Sequence, residues 1–160
     1  MHSKHAHLEL KEISKVYFLG LEVLQAIQER LEQTQYGIIF EEVDKNEGEL
    51  FFWLAGIGLY ARIKVINGKD KYIGKVTWGR YLIEGEEFIR QDPVCENVYE
   101  QHGKDKYWLW YKRDDIDVPY DLSEDRPELL FDNVWKMVED LFPETDEEPP
   151  ARPGGIRIEV

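Results

Sequence analysis

One cysteine, Cys95, and a histidine shortly after it, His102, are the residues of this chain best suited to covalent or acid–base chemistry. A thiol becomes a nucleophile when a neighbouring cation or dipole lowers its pKa, and its base needs a third group to orient it. Asp92-Pro93 and His102-Gly103 are breakers that put both residues in loop-like text. No family signature surrounds either residue, so they are not read as a catalytic pair. His2, His5 and His7 offer imidazoles near the start of the chain, without the supporting partners that hold metal ligands in place.

Asp114, Asp115, Asp117 and Asp121 supply the oxygens that hard cations prefer, but the glycine and closing glutamate of a hand-type calcium loop are missing. They read as a solvated acidic connection. Gly56-Ile57-Gly58-Leu59-Tyr60-Ala61 matches a loose dinucleotide fingerprint, which needs a helix to follow the glycines. Residues 59–66 instead alternate like a strand, so the glycines are read as a bend between two strands. The phosphate-loop lysine, the two-histidine zinc helix and the Gly-x-Ser-x-Gly elbow do not occur. No catalytic residue, cofactor or metal is therefore assigned. A site gathered from distant residues is the one enzymatic route left open.

The elements that would position these residues follow from periodicity. Ile13, Val16, Tyr17, Gly20, Leu24, Ile27 and Leu31 recur at steps of three and four, which predicts a helix over 8–33. Gly20 inside it points to close packing. Residues 36–43, 49–55, 59–66 and 72–83 read as an antiparallel meander, with Asn67-Gly68-Lys69-Asp70 as a hairpin turn. Residues 84–105 read as loop, with room for a helical turn over 95–100. Residues 106–112 form a further strand, and 114–121 an acidic connection ending near Pro119. A second helix is expected from about Ser123 to Leu141, with Asp125 and Glu128 as a capping box and Leu130, Val134, Met137, Val138 and Leu141 as its stripe. The expected class is α+β: an N-terminal helix, an antiparallel sheet of about four to five strands, and a C-terminal helix packed on it. Residues 1–143 make one domain, and 144–160 a flexible acidic, Pro/Gly-rich tail whose last stretch, 156–160, could add to a sheet edge.

Charge narrows the function. The 160 residues carry 33 acids and 20 bases, a net charge of -13. Residues 1–82 hold 11 of each, so the whole excess lies in 83–160. This opposes phosphates and suits a basic partner. A single cysteine excludes an internal disulfide, and no apolar run reaches membrane-spanning length. A cytoplasmic protein without a membrane role is expected. The leading expectation is a non-catalytic interaction domain of the inhibitor, immunity, anti-defence or chaperone type. It would meet a basic protein through Asp114, Asp115, Asp117, Asp121, Glu124 and Asp125, with Trp108 and Trp110 as anchors should their strand face be open. For all five tryptophans, burial in the core is the default reading. The alternative is a nucleic-acid-associated or nuclease-like module using Tyr60, Arg62, Lys64, Lys75 and Arg80. Alternation puts Lys75 and Arg80 on opposite faces, so that basic patch is partial.

Overall fold

A hydrophobic seam with helical spacing needs a flat apolar surface to cover it, and alternating strands supply one. The computed structural model describes residues 3–41, 48–123 and Glu139. A long helix, α1 (Ser3–Glu32), is followed by eight strands: β1 (Ile39–Phe40), β2 (Glu49–Leu54), β3 (Ile57–Asn67), β4 (Tyr72–Glu84), β5 (Glu87–Arg90), β6 (Cys95–Gly103), β7 (Lys106–Arg113) and β8 (Ile116–Asp121). Every pairing is antiparallel, in the order β1-β2-β3-β4-β6-β7-β8, with β5 pairing to the far end of β4.

One face of the sheet is the core. Val23, Leu24, Ile27 and Leu31 of α1 are buried against Leu50, Phe52, Leu59, Ala61, Ile63, Val76, Trp78, Tyr99 and Leu109. The approach is close because two glycines make room for one tyrosine. A Cβ at Gly20 would meet the Tyr99 hydroxyl at 2.6 Å, and one at Gly74 would fall inside the Tyr99 ring. The same hydroxyl donates to the Val16 carbonyl at 2.6 Å, tying helix to sheet. The packing reason expected for Gly20 is thus found.

The second face carries a smaller aromatic cluster. The β4–β5 hairpin brings Phe88 onto Phe51 (centroids 4.7 Å apart, stacked) and Tyr81 (5.3 Å) beside Trp53 and Tyr60. Arg90 of β5 donates to the carboxylate of Glu49, which is almost fully buried and also lies 3.6 Å from Arg62. β5 therefore closes this face over β2 and β3 and leaves the portion formed by β6, β7 and β8 outside its cover.

Several expectations are corrected. Among the described residues the sheet has eight strands rather than four or five, and strand outweighs helix. Among the described residues, α1 is the one helix packed on the sheet, so they do not show the expected helix–sheet–helix arrangement. Apart from Ser123 and Glu139, the expected second helix lies outside the described residues, as does the tail over 144–160. The stretch read as loop holds β5 and β6, with no helical turn at 95–100, and the acidic connection is β8. In β6 the usual cue is inverted: Asn97 points into the core, where Trp78 Nε1 donates to its Oδ1 at 2.6 Å, and Val98 points outward. Pro119 disguised β8, but an edge strand tolerates proline. Gly56 (φ 82°) and Ala55 (φ 49°) form the tight turn between β2 and β3, so the bend reading holds for Gly56, whereas Gly58 lies inside β3 opposite Trp53.

Candidate functional site

Alternation along β6 and β7 decides which side chains share a surface. Cys95, Asn97 and Tyr99 of β6, with Tyr107 and Leu109 of β7, face the helix side. Glu96, Val98, Glu100 and His102, with Trp108, Trp110 and Lys112, fall on the opposite face. Pairing sets these into rows across three strands. Glu100, Trp108 and Asp121 are successive cross-strand partners; so are Val98, Trp110 and Pro119. Lys112 sits opposite Asp117. Of these, Glu100, Val98, Trp110, Lys112 and Asp117 line a cleft of about 620 Å³ together with Lys75, Val94 and Glu96, while Trp108, Asp121 and Pro119 lie beside it.

The first row has a defined geometry. The imidazole of His102 stacks on the Trp108 indole, with centroids 4.4 Å apart and planes within 24°. Its Nε2 lies 3.4 Å from Asp121 Oδ1. The same carboxylate oxygen accepts from the Ser123 amide at 2.9 Å and from the Ser123 hydroxyl. Burial pushes the Asp121 carboxyl upward, but the Ser123 donors and His102 outweigh it and hold the group below its ordinary value. Trp108 in turn meets Trp110 edge-on at 5.7 Å. The β6–β7 register shifts between Gln101 and Gly103, so His102 sits at a bulge.

Cys95 lines one end of the cleft but belongs to the helix-side cluster. Cys95 packs on the helix-side core, and burial, followed by the nearby Glu96 charge, pushes its thiol up to about 12. At neutral pH it is a thiol, and His102 lies on the other side of the sheet. No nucleophile–base pair forms between them. Ser123 bonds to Asp121 rather than to an imidazole, which is not the order of a hydrolytic triad.

Of the acids expected to meet a partner, Asp117 and Asp121 share the face with Trp108 and Trp110. Asp114 (φ 53°) and Asp115 (φ 63°) are the two central residues of the β7–β8 turn, a left-handed pair that aspartate tolerates better than most side chains. Their presence has a conformational reason apart from any binding role. Glu124 and Asp125 lie outside the described residues. Among the described residues no three His, Cys, Asp or Glu side chains converge as a metal site. Trp53 and Trp78 are core, whereas Trp108 and Trp110 are only half-buried, so for these two the default of core burial is corrected. Trp135 lies outside the described residues.

No known protein family, curated protein or solved structure matches the chain.

Strand register puts Tyr60, Arg62, Lys64 and Lys75 on one face of β3 and β4. Tyr60 is buried and donates to the Gln91 carbonyl at 2.6 Å. Arg62 pairs with Glu49, and Lys75 with Glu96 at 3.8 Å. Lys64 is exposed opposite Lys75, while Arg80 falls on the other side by alternation. Sequence reasoning missed Glu96, Glu100 and Lys112. Recognising β6 as a strand would have placed the first two beside the tryptophans.

Proposed function

We propose that this chain is a non-catalytic interaction domain whose β6–β8 face receives a basic protein surface. The observation that supports this most directly is the row Glu100–Trp108–Asp121, an aromatic plate flanked by carboxylates on neighbouring strands. Half-buried indoles supply contact area at little entropic cost, and surrounding carboxylates select and steer a cationic partner. The net charge of -13 extends that steering beyond the contact itself. Trp110, Val98 and Pro119 add an apolar strip beside the charged row. Among the described residues no helix is long and apolar enough to cross a membrane.

The test uses poly-L-arginine as a defined basic probe, with single- and double-stranded DNA in parallel. Hydrogen exchange should show protection concentrated on β6, β7 and β8 when poly-L-arginine binds. Affinity should fall as salt rises, with the slope flattened in an E100Q/D117N variant. Protection spread evenly over the surface, or DNA binding with a steep salt slope, would defeat the proposal.

A further inference from the structure

We infer that the Trp108 plate is a receptor for a planar cation, the guanidinium of a partner arginine, and that His102 occupies this receptor in the free protein. The inference rests on the reading of the β6–β8 face as the contact surface for a basic partner and names the group that anchors it.

The arrangement around His102 supports this choice of ligand. A flat nitrogen ring lies nearly parallel to the indole at 4.4 Å, and its buried Nε2 sits 3.4 Å from a carboxylate without completing a hydrogen bond to it. A guanidinium makes the same two demands: its plane stacks on an aromatic face while in-plane N–H groups point at a carboxylate. It meets them better than imidazole, because it is always charged and can donate two parallel hydrogen bonds. The site has carboxylates on both flanks of the plate, Asp121 on β8 and Glu100 on β6. Ser123 fixes the Asp121 carboxylate through its amide and hydroxyl, so that acceptor is already oriented. A lysine ammonium lacks the plane to stack and should bind less well.

The imidazole is also placed to leave. It projects from the β6–β7 hairpin at the bulge between Gln101 and Gly103, next to the exposed turn at Lys104 and Asp105. A rotation there would clear the plate without disturbing the helix-side core, because His102 lies on the opposite face. Displacing His102 costs the free protein one stack and one carboxylate contact, which the incoming arginine restores.

The experiment titrates the full chain with the peptide Ac-Gly-Arg-Gly-NH2 and its lysine and glutamine analogues, following the Trp108 indole N–H resonance. The arginine peptide should shift that signal, the lysine peptide more weakly, and the glutamine peptide not at all. His102→Ala should tighten arginine binding by roughly two- to five-fold, the worth of one ring stack. Asp121→Asn should weaken it by about ten-fold, the worth of a charge-assisted hydrogen bond. His102→Gln provides a second vacated site should the alanine variant fold poorly. Equal binding of lysine and arginine peptides, or no gain in either His102 variant, overturns the inference. If poly-L-arginine still protects β6–β8 in that case, the face remains an interaction surface and only the receptor is wrong. If poly-L-arginine protection is absent too, both readings fall together.

Discussion

At the scale of single residues, the pH response of Asp121 follows from its surroundings. Its carboxyl is held below the ordinary value of 3.8 in the folded chain, so the folded state favours the ionised form. The resulting stability is complete above the unfolded pKa and is lost as pH falls through the folded one. Asp121→Asn should therefore cost stability at pH 7, and the gap from the parent chain should close progressively below about pH 4. Urea midpoints measured from pH 7 to pH 2.5 check this, and a gap that widens on acidification contradicts it. Tyr99 is a second residue-scale case. Gly74→Ala would put a methyl group into its ring, at a cost of about 1–3 kcal/mol from overpacking. Denaturant unfolding reads that cost directly. Ordinary surface behaviour at Gly74, within about 0.5 kcal/mol, would mean that Tyr99 is not wedged there.

Two elements carry local arguments of their own. The β7–β8 turn places Asp114 and Asp115 at positive φ, where asparagine and glycine fit best. Asp114→Asn with Asp115→Gly should stabilise the protein by several tenths to about 1 kcal/mol, whereas alanine at both positions should destabilise it. Thermal unfolding separates the two outcomes. The same consideration shapes any charge-removal experiment at this turn: asparagine removes charge and keeps the turn, and alanine confounds the two. The β4–β5 hairpin is held by a different device. Glu49 is almost fully buried between Arg90 and Arg62, and each guanidinium keeps some contact with water. Glu49→Ala leaves those guanidinium groups without their carboxylate and should cost about 1–2 kcal/mol, less than a fully buried pair because both cations stay partly hydrated. Hydrogen exchange should then rise first in β5, whose closure over the aromatic cluster this pair secures.

For the molecule as a whole, the charges that serve binding should be separable from those that serve folding. Glu96, Glu100 and Asp117 lie on the β6–β8 face, and the one ion pair that the described residues show among them, Lys75–Glu96, is at the surface. Neutralising all three to the matching amides should leave stability within about 1 kcal/mol. The same variant should bind poly-L-arginine several-fold more weakly at low salt. A large loss of stability would mean that these acids belong to the fold rather than to a contact surface.

Periodicity along the chain was enough to place α1, β2, β3, β4 and β7, because each follows a helical or alternating pattern set by one buried face. The tight turn at Gly56 and the close packing of Gly20 were legible for the same local reason. β6 and β8 escaped because Asn97 turns inward to satisfy Trp78, Val98 turns outward, and Pro119 sits on an edge. Each of these departures depends on which strands lie beside β6 and β8, which no local pattern can reveal. The lopsided charge was visible in the composition, but only strand pairing put Glu100, Trp108 and Asp121 in one row and brought His102 onto the indole. Register is a long-range property: it depends on which strands neighbour one another, and that choice is made by burying the α1 seam and the aromatic cluster on opposite sides of one sheet.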